Sequence, residues 1–225
     1  MQIWAHRGAS ADAPENTMAA FETAHAHGAD GIEFDVQRSC DGDPVVIHDA
    51  TVDRTTRGEG AVADMATEEL VALGIPTLAQ VLAWLPAGMT ANVELKAAPT
   101  RDTGLAAEVV QIIDAAGVGD RVWVSSFDHH MLQDVRRLDP TLRLGVLAVA
   151  HLWKPATYVQ ACGAGAYHPN VAALQTPQII SECHDAGLRV HTWTVDDQAL
   201  IAKAADLGVD AVITNRPGPA REALS

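Results

Sequence analysis

The chain has 225 residues, 48% of them hydrophobic, and its overall hydropathy is near zero, which excludes a disordered or fibrous protein. Its formal net charge of -14 argues against nucleic acid or a stable association with an anionic membrane, because no basic face is available to bind phosphates. Cys40, Cys162 and Cys183 show no paired spacing, so neither a disulfide framework nor a zinc site is indicated.

Short apolar runs rich in β-formers alternate with alanine-rich amphipathic stretches along almost the whole chain. We predict strands over residues 2–6, 31–36, 90–96, 121–126, 142–148, 164–168, 188–195 and 210–214. Helices are predicted over residues 15–27, 78–85, 102–116, 128–138, 152–162, 175–186, 197–207 and 218–224. This order predicts an α/β fold, a closed (β/α)8 TIM barrel. An open doubly wound sheet is the alternative, although no glycine-rich dinucleotide loop follows the first strand.

Residues 44–77 interrupt the alternation with a short strand, a polar stretch and a short helix near 67–73. We interpret this segment as a short insertion between the second and third barrel strands, lying over the carboxyl-terminal mouth of the barrel. Residues 1–225 are therefore expected to form a single domain. No leader precedes the first strand and no apolar run approaches the length of a membrane span, so we expect a cytoplasmic protein.

Acidic side chains alternate with apolar ones in two of the predicted strands. In residues 31–36, Glu33 and Asp35 point to one face, and in residues 92–96, Glu94 and Lys96 do the same. Because the apolar face packs on the helices, the three carboxylates must point into the barrel mouth. A divalent cation with oxygen ligands, Mg²⁺ or Ca²⁺, would compensate their repulsion. Salt bridges to Arg7 and Lys96 without a metal are the alternative.

Histidines follow two of the strand-like runs that end at this mouth. His6 and His48 are candidates for general acid and general base, because imidazole titrates near neutral pH. Arg7 and Lys96 are candidates for binding phosphate oxygens, and Trp193 for a wall of the pocket.

Other polar residues carry weaker signals. His168 and His191 end or line late strands and are secondary candidates for the pocket. We expect Asp49 to orient a loop rather than to react. For residues 215–218, loop geometry explains the sequence as well as ligand contact does.

An ordered set of motifs extends from end to end of the chain and resembles the glycerophosphodiester phosphodiesterase family. The matching residues are 6–8, 14–17, 31–36, 41–42, 45–49, 54–56, 75–78, 94–96, 125–128, 192–195 and 214–217. The resemblance implies a barrel with one divalent cation held by Glu33, Asp35 and Glu94, and catalysis by His6 and His48. The implied substrates are small-molecule glycerophosphodiesters, which the family hydrolyses to glycerol 3-phosphate and an alcohol.

Our mechanistic hypothesis is that one histidine takes the proton of the glycerol 2-hydroxyl while the other protonates the leaving alcohol. A cyclic phosphate would form and water would open it; direct attack by water is the alternative. Which histidine acts first as base, the preferred alcohol and the oligomeric state stay open. Two other functions are considered. One is a lysophospholipase D or phospholipase-like activity on lipids, and the other is a non-catalytic barrel that binds metal or phosphate.

Overall fold

The computed structural model describes residues 1–97 and 104–224. The strands are β1 Gln2–His6, β2 Gly31–Arg38, β3 Pro44–Val46, β4 Thr90–Leu95, β5 Val122–Ser126, β6 Arg143–Ala148, β7 Ala166–Pro169, β8 Arg189–Thr192 and β9 Ala211–Thr214. The helices are α1 Met18–Ala26, α2 Thr67–Ala72, α3 Leu78–Trp84, α4 Leu105–Ala116, α5 His129–Leu138, α6 Pro155–Ala161, α7 Gln178–Asp185, α8 Gln198–Asp206 and α9 Pro217–Glu222.

Eight parallel strands among the described residues close into a barrel. The order runs β1-β9-β8-β7-β6-β5-β4-β2, and β1 pairs with β2 to complete the ring. Helices connect successive strands on the outside, so the predicted TIM barrel is confirmed. The short strand β3 pairs antiparallel with the carboxyl-terminal half of β2, where Val36 is opposite Val46. The insertion therefore begins at the mouth of the barrel.

Side-chain alternation divides the apolar residues of the barrel between two sides. Ile3, Ile32 and Phe34 belong to the large core beneath the helices, where the Phe34 ring lies 5.5 Å from that of Phe21 on α1. Trp4 and Trp123 belong to a separate interior cluster. The insertion has a small hydrophobic core of its own, formed by Val45, Ile47, Val52, Val62, Leu70 and Ile75.

Several predicted element boundaries differ from those of the structure. Helix α1 begins at Met18 rather than residue 15, because Asn16 adopts a left-handed φ of 58° and Thr17 caps the helix through the Ala20 N–H. Helix α7 begins at Gln178, after a 3-10 turn over Val171–Gln175. Residues 102–103 of the helix predicted over 102–116 lie outside the described residues.

Strand β8 ends at Thr192 instead of residue 195. Trp193 stays bonded to the end of β7, because its backbone N–H donates to the Pro169 carbonyl (3.2 Å) and its indole donates to the His168 carbonyl (2.8 Å). Beyond it, the Val195 N–H donates to the Ile213 carbonyl of β9 at 2.9 Å, outside the regular ladder.

We predict that Gly145→Ala destabilises the barrel, because a Cβ there would lie 2.3 Å from Nε2 of the buried His168 ring. The expected loss is about 1–3 kcal/mol of unfolding free energy, measured by urea denaturation. Gly165→Ala is the matched control, since its Cβ would make an ordinary contact of 3.7 Å with Trp123. Equal stability of the two variants would contradict this account of the interior.

Candidate active site

The strand register brings together four residues from the sequence prediction and adds Asn92. Across β1 and β2, His6 is opposite Glu33; across β2 and β4, Glu33 is opposite Asn92 and Asp35 is opposite Glu94. Asn92 was missed by the sequence reasoning, although it shares the inward face of β4 with Glu94. Its Oδ1 is buried with no hydrogen-bond partner in the described part of the chain.

The three carboxylates form one buried cluster. One oxygen from each of Glu33, Asp35 and Glu94 lies within 4.8 Å of the others. The Lys96 ammonium lies 3.1 Å from Asp35 and 2.6 Å from Glu94. The Arg7 guanidinium lies 3.3 Å from Asp35. Both predicted cations therefore contact Asp35.

Burial and mutual repulsion control the ionisation of the cluster. Burial, and then the Asp35 charge, raise the pKa values of Glu33 and Glu94 to about 8. Burial opposes ionisation of Asp35 too, but Lys96 and Arg7 hold the pKa of Asp35 below its ordinary value. The cluster thus contains one stable carboxylate, Asp35. Glu33 and Glu94 have too little positive charge around them to stabilise their ionised forms.

The donor set fits a hard divalent cation. Within residues 1–97 and 104–224, no lysine or arginine side chain lies at salt-bridge distance from Glu33, which accepts the Arg7 backbone N–H at 3.2 Å. Two cations cannot neutralise three carboxylates, and an oxygen-only set is the one that Mg²⁺ and Ca²⁺ prefer. Glu33, Asp35 and Glu94 are the residues that could hold such an ion.

His6 lies at the end of β1 with its two ring nitrogens in different surroundings. Nδ1 lies 2.7 Å from Oδ1 of Asn215, and Nε2 lies 3.9 Å from Oε2 of Glu33. Burial, and then the Arg7 charge, lower the pKa of His6, which favours the neutral ring. The contact with Asn215 was not found from the sequence, because 209 residues separate the two positions.

His48 is held by its neighbour and by a buried glutamine. Its Nδ1 lies 2.7 Å from Oδ1 of Asp49, so Asp49 orients the imidazole rather than only the loop. The Gln37 amide, on β2, donates to the His48 carbonyl at 2.8 Å. This pair of contacts fixes both the ring and the backbone of His48.

Arg54, in the insertion, joins the two histidine-bearing loops. Its guanidinium donates to both oxygens of Asp49 (2.5 and 3.1 Å) and to both oxygens of Glu15 (3.0 and 2.7 Å). Glu15 in turn accepts from Arg7 at 3.0 Å. The hydrogen bonds from Arg54 hold the pKa of Asp49 well below its usual range. In the sequence, Arg54 was noted only as part of a motif. Its role became visible from its contact with Glu15, which lies 39 residues away in the chain.

The predicted site residues surround one cavity of about 240 Å³. Its wall includes His6, Arg7, Glu33, His48, Glu94, Lys96, Trp193 and the exposed Phe127. Asp35 lies beneath, in contact with Arg7 and Lys96.

The secondary candidates His168 and His191 lie elsewhere. They form a buried pair inside the barrel, with His191 Nδ1 2.8 Å from His168 Nε2, and the rings of Trp4 and Trp123 pack against them. Burial lowers the pKa of His168 to about 3, so this pair stays uncharged. We assign them to packing of the interior.

Comparison with known proteins agrees with this site. The glycerophosphoryl diester phosphodiesterase family matches residues 6–219. A glycerophosphodiester phosphodiesterase from Caldanaerobacter subterraneus subsp. tengcongensis is 36% identical over 96% of this chain and 94% of its own. Among solved structures, a glycerophosphodiester phosphodiesterase from Agrobacterium tumefaciens superposes with a TM-score of 0.88 at 30% identity, covering all of both chains.

A third similar protein is an Oleispira antarctica phosphodiesterase solved in complex with the product sn-glycerol-3-phosphate. Its TM-score is 0.85 at 27% identity, covering 100% of this chain and 96% of that one. The chain belongs to the glycerophosphoryl diester phosphodiesterase family, and the resemblance in its motifs is confirmed. It is an enzyme of the phosphodiesterase class. In the described residues, no helix is both long enough and apolar enough to cross a membrane.

We predict that the metal-free protein loses stability as pH rises from about 4.5 to about 8. The pKa values of Glu33 and Glu94 are about 8 in the folded chain and lie near the ordinary value of 4.5 in the unfolded chain. Between these values the folded state binds more protons, so unfolding becomes easier as pH increases. Because cations compete with these protons, Mg²⁺ or Ca²⁺ should raise the melting temperature more at pH 8 than at pH 5.5. Thermal melts with chelator or metal measure this, with Glu33→Gln as control; equal shifts at both pH values would contradict it.

We predict that Arg54→Ala lowers kcat/KM for phosphodiester hydrolysis by about tenfold. A hydrogen bond to a charged group contributes about 1.5–3 kcal/mol, and the lower end of that range corresponds to about a tenfold change in rate. The variant removes a partner from both Asp49, which contacts the His48 ring, and Glu15, which contacts the Arg7 guanidinium. Arg57→Ala, an exposed arginine in the same loop, is the matched control and should keep wild-type rates. If both variants behave alike, Arg54 does not position the site.

Proposed function

We propose that the protein hydrolyses glycerophosphodiesters to glycerol 3-phosphate and an alcohol, with a divalent cation and two histidines. The observation that carries this proposal is the single cavity onto which His6, His48, Glu33 and Glu94 open, above Asp35. The Oleispira structure with sn-glycerol-3-phosphate supports the same product for this chain.

The basic side chains and Trp193 would bind and orient the substrate. Arg7 and Lys96 line the cavity beside the carboxylates, so each can donate hydrogen bonds to phosphate oxygens. Trp193 is fixed by the His168 carbonyl and by an edge contact with Phe127, 5.5 Å between ring centres, which makes it a rigid wall. A bound Mg²⁺ or Ca²⁺ on the three carboxylates would supply a Lewis acid for the phosphoryl group.

His6 and His48 would transfer the protons. One removes the proton of the glycerol 2-hydroxyl, whose oxygen attacks phosphorus, and the other protonates the departing alcohol oxygen. The cyclic phosphate formed in this step is then opened by water, with the two histidines exchanging roles. Both rings are held through Nδ1, His6 by Asn215 and His48 by Asp49, which leaves Nε2 of each for the reaction.

A lipid substrate is the second candidate, because apolar side chains are exposed beyond the cavity. The loop after β6 carries Val149, which is 66% exposed, and Trp153, which is 90% exposed. Leu147, two residues before Val149, lines the cavity, so this loop leaves the mouth of the barrel. An acyl chain of a lysophospholipid could contact such side chains.

The experiment is release of glycerol 3-phosphate from glycerophosphocholine and glycerophosphoethanolamine with Mg²⁺, Ca²⁺ or chelator. We expect metal-dependent release, lost by about 10²- to 10⁴-fold in His6→Ala and His48→Ala. In Glu33→Ala, the metal-dependent release should be lost. His25→Ala, on the exposed side of α1, is the control and should remain active.

Three outcomes separate the alternatives. Cleavage of a substrate lacking the 2-hydroxyl at the normal rate would rule out the cyclic phosphate. Faster turnover of micellar lysophosphatidylcholine than of the soluble diesters, reduced in Trp153→Ala, would favour the lipid substrate. Binding of metal and product without turnover of either substrate would indicate a non-catalytic binding protein.

A further inference from the structure

The side chain of Asn215 lies between His6 and Asp196. Its Oδ1 is 2.7 Å from His6 Nδ1, and its Nδ2 donates to Oδ2 of Asp196 at 2.6 Å. Asn215 directly follows β9, and Asp196 lies in the loop before α8, so two different loops meet behind the His6 ring.

The contacts of Asp196 determine which way the Asn215 amide points. Its other oxygen, Oδ1, accepts from the Asn215 backbone N–H (2.8 Å) and from the Thr214 hydroxyl (2.9 Å). An ionised carboxylate only accepts hydrogen bonds. A flipped amide would set its oxygen against Asp196, so the nitrogen must face Asp196 and the oxygen must face His6.

With the amide in this orientation, Oδ1 also accepts from the Ser10 hydroxyl at 2.8 Å. Since Oδ1 is an acceptor only, the His6 nitrogen beside it must carry the hydrogen. The neutral His6 ring therefore has its proton on Nδ1 and its lone pair on Nε2, which faces Glu33 and the cavity.

We propose that Asp196 and Asn215 are positioning residues that hold His6 in the Nδ1–H tautomer, so that Nε2 alone exchanges protons with the substrate. The catalytic part of this inference rests on the proposed function; the tautomer does not. The role of Nε2 is the same whichever histidine acts first as base, because a protonated His6 would also donate its proton through Nε2. His48 reaches the same state by a different route, through direct contact with the Asp49 carboxylate.

The test uses the full chain labelled with ¹⁵N-histidine and long-range ¹H–¹⁵N spectra at a pH where the His6 ring is neutral. The His6 signals are assigned by their loss in His6→Gln. In the wild type we expect Nδ1 to be the protonated nitrogen. In Asp196→Asn the acceptor-only group is gone, the Asn215 amide can flip, and the His6 signals should shift toward a mixture of tautomers.

Kinetics give the second readout. For Asp196→Asn we expect kcat to fall about tenfold, with KM little changed. This loss is smaller than the contribution of a whole acid–base group, which is about 10²- to 10⁴-fold. The matched control is Asp197→Asn, one residue away, whose carboxylate caps α8 through the Leu200 N–H. It should keep both the wild-type tautomer and the wild-type kcat.

Two results would overturn the proposal. One is a wild-type His6 with its proton on Nε2, whatever the behaviour of the Asp196→Asn variant. The other is a folded Asp196→Asn protein with unchanged His6 signals and unchanged kcat. If the wild type shows the Nδ1–H tautomer but hydrolyses no glycerophosphodiester, the proposed function fails while the tautomer assignment stands.

Discussion

Three carboxylates buried side by side on neighbouring strands are the constraint on which the rest of the site depends. Ionised groups in such a place are costly unless they are compensated. Lys96 and Arg7 both contact Asp35, and the Asn16 amide donates to it at 2.9 Å, so one carboxylate is well stabilised and its two neighbours are not. A cation bound there would complete the charge balance and would give a chain of net charge -14 a local attraction for a phosphodiester.

The interior of the barrel explains why this cluster is so poorly solvated. Trp4 and Trp123 pack around the uncharged pair of His168 and His191, which fills the barrel with aromatic rings. Water is thereby excluded from one side of the carboxylates, and a low local dielectric strengthens every charge interaction at the mouth. Burial raises the pKa values of Glu33 and Glu94 at the mouth above this interior.

Local patterns were enough to predict the barrel, the inward carboxylates and the strand-end position of His6, because alternation along a strand and the order of elements are properties of neighbouring residues. The same patterns could not reveal Arg54 or Asn215, whose partners lie 39 and 209 residues away. They also placed the end of β8 too late: residues 193–195 look β-like, but the strand ends at Thr192. The contact of Asp49 with the His48 ring was not predicted, because it depends on a loop conformation.

The insertion has its own small hydrophobic core, separate from the one beneath the helices, and His48 belongs to the insertion while His6 belongs to the barrel. The width of the reaction cleft therefore depends on how the insertion packs against the barrel. Hydrogen bonds of Gln37, Glu15 and Arg54 connect the two parts. Changes deep in the smaller body, for example at Leu70, can alter the spacing of the two imidazoles without touching either. Substitutions confined to the insertion would then change the width of the cleft while the barrel stays the same.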